Sequence, residues 1–254
     1  MIPFPGALVA VWEAGELTLG VVAGEEKRRL RLVLEGGREI RVQPARIAWE
    51  VEAPGKVPGA APEERREAGE RVERAERRLR GVADSIDVEL VWQILAEAGA
   101  PPADGFETGD LAELALDSRS GESMAATVRA LRRDGLRFTR KGERWLARAA
   151  EQVADLERER ERIAERELQT RALFDALAAA VRGQAFHETG SEYERRYLDA
   201  LTRLAVDAES APEVARALAV EALSASGLRC ERPHEGAFRL LRLVGRLEHD
   251  DVNL

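Results

Sequence analysis

The chain has 254 residues, 44% hydrophobic, 34% charged and 5% aromatic, with a formal net charge of −8 and a pI near 5.3. That length can bury a core, but so much charge with so few aromatics fits several small modules better than one large one. An acidic chain does not coat nucleic acid along its whole surface, so any such binding is local.

No apolar run approaches the ~20 residues that a membrane span requires. Met1 to Gly6 offers neither a charged leader nor a long apolar segment, so no signal peptide is expected. Cys230 is the only cysteine and cannot form an internal disulfide, which fits a reducing cytoplasm.

Positions 1–52 read as a small β module. Short strands fall at 7–12, 17–22, 30–34, 39–42 and 47–51, joined by segments holding Gly15, Gly24 and Gly36-Gly37. Five strands at that spacing predict a small closed barrel, and Pro44-Ala45-Arg46 suits the short turn before the last strand of a Src-homology-3-like barrel. Arg28, Arg29, Arg31, Arg38 and Arg41 could meet a phosphate backbone, although solvent-facing charge on strands is the commoner reason for such residues.

Positions 53–83 hold a Pro/Gly-rich linker and then a charged helix over 63–82. Its one apolar stripe is Ala68, Val72, Ala75, Leu79 and Val82, as expected of a structural brace across the next module.

Positions 84–148 predict a winged helix-turn-helix. Asp84 or Ser85 caps a helix with Ile86, Leu90, Val91, Ile94 and Leu95 inward, and Gly99 closes it. Thr108 caps a second helix with Leu111, Leu114 and Leu116. Ser120 opens a third with Met124, Val128 and Leu131 inward, ending at Gly135. Strands at 136–140 and 143–146 then flank Lys141-Gly142. Between 129 and 148 eight cations face only Asp134 and Glu143, a local reversal of sign that suits a phosphate backbone. The candidate contacts are Arg129, Arg132, Arg133, Arg137, Arg140, Lys141 and Arg144; abundant surface arginine is the competing explanation.

Positions 149–183 belong to one long charged helix, read as running from 147 to 182 and stopped by Gly183. Alternating charge at 157–162 supports a solvated helix. Val153, Leu156 and Ile163 form only a thin stripe that Arg160 and Glu167 interrupt, so a coiled coil is not expected and the chain should be monomeric. Leu173, Phe174, Leu177 and Val181 make the second half amphipathic.

Positions 184–254 predict a second helix-turn-helix-like module with a weaker basic signal. Thr189 with Glu192, and Ser191 with Glu194, offer overlapping capping boxes. Tyr193, Tyr197, Leu198, Leu201, Leu204 and Val206 mark one core face. Val214, Leu218 and Leu223 mark the next, ending at Gly227, and a third helix covers 237–244. The predicted class is therefore α+β, mainly α.

No catalytic residue is assigned. His187-Glu188 lacks the second histidine of a zinc-protease helix, His249-Asp250-Asp251 reads as a polar loop rather than a metal cluster, and Cys230 reads as inert. There is no Gly-x-Ser-x-Gly, Walker or Gly-x-Gly-x-x-Gly motif.

The order of these modules, with Gln43-Pro-Ala-Arg-Ile47, Ser85-Ile-Asp-Val-Glu-Leu-Val-Trp-Gln-Ile-Leu95 and Arg137-Phe-Thr-Arg-Lys-Gly142, resembles the N-terminal region of ribonuclease II-like exoribonucleases of bacteria, cyanobacteria and plastids. The resemblance implies a helix-turn-helix region partly replacing cold-shock domains. It also implies a following catalytic domain whose clustered aspartates bind Mg²⁺ for 3′-to-5′ hydrolysis of RNA. Nothing in these 254 residues matches that aspartate motif, so the span is expected to handle single-stranded RNA without a cofactor of its own. A DNA-binding winged-helix regulator and a protein-interaction scaffold remain as alternatives. Residues 122–131 offer only Arg129 to read bases, which favours backbone recognition.

Overall fold

Strict alternation of side chains along the first strands gives the N-terminal sheet two apolar faces, and this decides how the first half of the chain is built. The computed structural model describes residues 3–99 and 104–247 and divides the chain into two compact units, 1–154 and 155–254.

In the first unit, β1 (Leu8–Glu13), β2 (Glu16–Glu26), β3 (Arg29–Val33), β4 (Glu39–Val42) and β5 (Ile47–Glu52) form one antiparallel sheet in the order β4-β3-β2-β1-β5. Ala7, Val9 and Val11 join Val22, Leu30 and Leu32 in one small core. Leu8 and Ala10 point the other way, with Leu19, Val21 and Val33, into a core shared with the helices. Register shifts in the β1–β5 and β2–β3 pairs bend the sheet. A 3-10 turn at Pro44–Arg46 leads into β5, where the sequence predicts a short turn.

Helix α1 (Pro62–Asp84) starts with proline at its first turn and buries Ala68, Val72, Ala75, Leu79 and Ala83. It crosses the turn after β3 so closely that a Cβ on Gly69 would lie 2.6 Å from the Gly37 nitrogen. Arg71 ties it to the linker, donating to Glu52 Oε2 at 2.9 Å, to the Gly6 carbonyl at 2.7 Å and to the Ala53 carbonyl at 3.0 Å. Arg78 reaches Glu52 as well, at 2.6 Å, and Glu122. Burial pushes the Glu52 carboxyl up, but hydrogen bonds from Arg78 and Arg71 outweigh it and hold the group below its ordinary value.

The winged module follows as α2 (Val88–Glu97), α3 (Thr108–Leu116), α4 (Gly121–Asp134), β6 (Phe138–Lys141) and β7 (Arg144–Ala147). Ser120 caps α4 through the Ser123 N–H, and Gly135 ends it at φ 64°, both as expected. The start of α2 differs from expectation. Because α1 continues to Asp84, the cap is Asp87, which accepts from the Leu90 N–H at 3.0 Å. The inward stripe of a helix starting at Val88 is then Val88, Val91, Trp92 and Leu95. Leu90 and Ile94 fall on the outer face, 51% and 40% exposed. In α3 the cap moves one residue, to Glu107, in a reciprocal box with Asp110, and Thr108 is buried where Trp145 Nε1 donates to it at 3.2 Å.

The second unit packs the later turns of α5 (Ala150–Val181) with α6 (Glu192–Asp207), α7 (Glu213–Ser226) and α8 (Pro233–Leu243). Leu173, Leu177 and Ala180 are buried with Tyr197, Leu198, Leu201 and Leu204, and Phe174 meets Tyr197 edge-on at 5.3 Å. Of the two capping boxes expected before α6, neither closes: Ser191 Oγ accepts from the Glu194 N–H, but the Glu194 carboxylate accepts from Thr189 and Gly190 and not from the Ser191 N–H. Of the core face expected for α7, Leu223 is buried and Leu218 packs against the core, but Val214 is 67% exposed and most of the buried face is Ala215, Ala219 and Ala222. Small alanines let helices approach closely, and hydropathy alone underrates them. On the same grounds Val206 belongs to the outer face of α6.

Tyr197 is buried and donates to Glu221 Oε2 at 2.9 Å. Burial, then that carboxylate, push its hydroxyl up to about 12. A folded value above the unfolded one means the contribution is complete below about pH 10 and is lost as pH rises through about 12. Ultraviolet titration should therefore show a tyrosine component near pH 12 that Tyr197→Phe removes.

Candidate nucleic-acid interface

The stretch 129–148 is strongly basic in sequence, but the fold brings carboxylates to it from elsewhere. Arg129 donates to both oxygens of Glu76 at 2.7 Å. Arg132 reaches Glu16 at 3.3 Å and the Gly15 carbonyl, and Arg133 reaches Asp84 and the Ala83 carbonyl. Arg137, its side chain 12% exposed, bonds Asp134 and Glu89 at 2.7 Å each. Arg144 takes Glu107 and the Gly105 carbonyl at 3.0 Å each. Arg148 is spent on the carbonyls of Gly135, Leu136 and Phe138.

The carboxylates of Glu16, Glu76, Asp84, Glu89 and Glu107 thus offset most of the local positive excess. Two of the candidate residues stand apart. Lys141, at the tip of the wing, is exposed and forms no ion pair among the described residues. Arg140 lies with its guanidinium 3.3 Å from the centroid of the Trp12 ring, and its Nε is buried without a hydrogen-bond partner. Burial and then neighbouring Arg132 pull the Arg140 pKa down, against Glu143, so nothing around it compensates its charge fully.

The second unit presents a different surface. A groove of about 670 Å³ between α6 and α7 is lined by Arg195, Arg196 and Arg203, with Glu192, Asp199 and the exposed Val214 among them. Among the described residues none of those three guanidiniums forms an ion pair. The sequence reading passed over them because each has an acid within one helical turn. The fold leaves these pairs unmade.

Among the described residues no group of three or more His, Cys, Asp or Glu could hold a metal ion, and no helix is long and apolar enough to cross a membrane. His249, Asp250 and Asp251 lie outside the described residues.

No curated protein and no solved structure matches the chain. Residues 153–254 do match a family model, that of the ribonuclease II double helix-turn-helix domain. The match falls on the part of the chain with the weaker basic signal in sequence, and it covers the groove whose Arg195, Arg196 and Arg203 form no ion pair among the described residues. The segment 153–254 therefore belongs to the double helix-turn-helix domain found in ribonuclease II-like exoribonucleases.

Proposed function

We propose that this chain is the nucleic-acid-binding, substrate-handling part of a ribonuclease II-like 3′-to-5′ exoribonuclease, and that it binds single-stranded RNA. The observation that carries this reading is the ribonuclease II double helix-turn-helix match over 153–254. Hydrolysis, with the Mg²⁺ it needs, is assigned to a catalytic domain following this span. The reading also takes the protein to be cytoplasmic and monomeric, and takes the N-terminal sheet to be a Src-homology-3-like barrel. The strand order and the 3-10 turn before β5 support that last point.

Contacts to phosphate are assigned to Arg140 and Lys141 on the wing. The exposed Arg132 and Arg133 can exchange a surface carboxylate for a phosphate at little cost, because exposed ion pairs are worth about 0–1 kcal/mol. Arg144 is exposed to a similar degree, whereas Arg129 and Arg137 are held by two carboxylate contacts each in half-buried sites and act mainly in holding the fold.

Binding of a labelled single-stranded RNA, followed by anisotropy, should weaken about 20- to 50-fold between 50 and 200 mM salt if three or four phosphates are neutralised. Arg140→Gln with Lys141→Gln should lower the slope by roughly 1.4. A flat salt dependence would remove the reading. A stable dimer in light scattering that prefers palindromic duplex DNA would replace it with the regulator.

A further inference from the structure

Between the sheet and the winged module of the first unit lies a cleft of about 380 Å³. Its sheet side carries Trp12 and Trp49, and its other walls carry Met124, Arg140, Glu143 and Arg144. Resting on the proposed single-stranded RNA binding, we propose that this cleft takes one unpaired base of the strand, stacked on the Trp12–Arg140 pair.

Four observations converge on it. First, the arginines at 129, 132, 133, 137, 144 and 148 all find an acceptor in the fold, whereas Arg140 is held by the Trp12 ring and has no acceptor among the described residues. A guanidinium held over an indole, 3.3 Å from its centroid, is a platform for a further π-face, and it keeps N–H donors for a base edge or phosphate. Second, both tryptophans are only half-buried, and the Trp49 ring is fixed by its Nε1–H donating to the Gly121 carbonyl at 2.8 Å. Large apolar rings left on a cleft wall beside a soft thioether are what base stacking uses.

Third, the volume suits a single nucleoside and is far too small for a duplex. Fourth, charge inside the cleft is balanced, Arg140 and Arg144 against Glu107 and Glu143, which favours a neutral base over the backbone itself. The adjoining phosphates have their own cations. Arg46 sits between the lining residues Ala45 and Ile47, and Lys141 follows Arg140; both are exposed and neither forms an ion pair among the described residues. A merely structural cation–π pair accounts for the stack alone. It does not account for the missing acceptor, the half-buried rings on the cleft wall and the flanking cations together.

The test uses the full chain and two probes: a hexamer of adenylate, and a hexamer with the same ribose-phosphate backbone lacking its bases. Trp12→Ala and Arg140→Gln should each weaken binding of the adenylate hexamer about 5- to 100-fold, the range for loss of one base stack. Trp12→Ala should change the affinity for the baseless hexamer by no more than about twofold, and Arg140→Gln, which also gives up a phosphate contact, should weaken it clearly less than it weakens the adenylate hexamer. Trp12→Phe should retain most of the affinity, and tryptophan fluorescence should be quenched by the adenylate hexamer alone. Arg140→Gln, on the wing surface, guards against a Trp12→Ala variant that fails to fold. Equal loss for both probes, or no loss with either variant while wild type binds RNA, overturns the cleft and leaves the wider reading in place. If wild type binds neither hexamer nor longer RNA, the RNA-binding reading itself fails.

Discussion

Replacing Gly121 by alanine is expected to lower the melting temperature of the first unit by roughly 4–8 °C. Gly121 is the first residue of α4, immediately after the Ser120 cap, and its backbone is helical, so alanine fits the local conformation. Taken alone, that substitution would stabilise by at most about 1 kcal/mol. The packing reverses the sign. A Cβ there would run into the Glu50 carbonyl oxygen on β5, far inside any permitted contact, and would lie 3.0 Å from Cδ1 of Trp49. The neighbour is backbone in a paired strand and cannot swing aside, so the overpacking cost falls at the upper end of its usual range, about 3 kcal/mol. The net loss is about 2 kcal/mol. Gly81→Ala is the matched control: it lies in α1, exposed, with nothing near its Cβ position, and should stabilise by up to about 1 kcal/mol. Thermal unfolding of both variants checks the pair, and the indole N–H resonance of Trp49 should shift only in Gly121→Ala. Equal stabilisation by the two would mean that α4 and β5 do not approach as closely as described.

That contact shows where sequence reading reaches and where it stops. Helix α4 was legible end to end, because Ser120 and Gly135 are local signals acting within one turn. The sheet was legible as five strands, since alternation and glycine-rich turns are local as well. Helix α2 was misphased because Leu90 and Ile94 look like core residues by hydropathy, while the true stripe depends on α1 ending at Asp84. The alanine face of α7 was hidden because small side chains carry little hydropathy.

Charge was the least legible property. The Arg129–Glu76 pair spans 53 positions, and the Arg140–Trp12 stack joins the wing to the first strand. A count along the chain therefore gave a basic patch, whereas the fold neutralises most of it and isolates Arg140 and Lys141. The cleft between sheet and wing was invisible for the same reason: its walls come from segments far apart in the chain.

In the second unit, Glu194→Ala is expected to cost about 2–3 kcal/mol, or roughly 10–20 °C in melting temperature for a unit of this size. Glu194 is the third residue of α6 and is only 3% exposed. Its carboxylate accepts from the Thr189 N–H at 2.8 Å, the Thr189 hydroxyl at 2.7 Å and the Gly190 N–H at 3.3 Å, while its own N–H donates to Ser191 Oγ at 3.1 Å. Truncation removes one charged acceptor shared by three donors on the exposed Thr189 and Gly190, and the helix start loses a negative charge where the dipole favours one. Burial pushes the Glu194 carboxyl up, but hydrogen bonds from Thr189 and then Gly190 outweigh it, so the folded value lies below the ordinary 4.5. A depressed folded value means that the contribution is present above about pH 4.5 and disappears as pH falls through the folded value. Glu194→Gln keeps the size and one good acceptor but not the charge. It should therefore be clearly less stable than wild type at pH 7, with the gap closing in acid. A pH-independent gap between Glu194→Gln and wild type would show that shape, and not the charged cap, fixes the start of this helix.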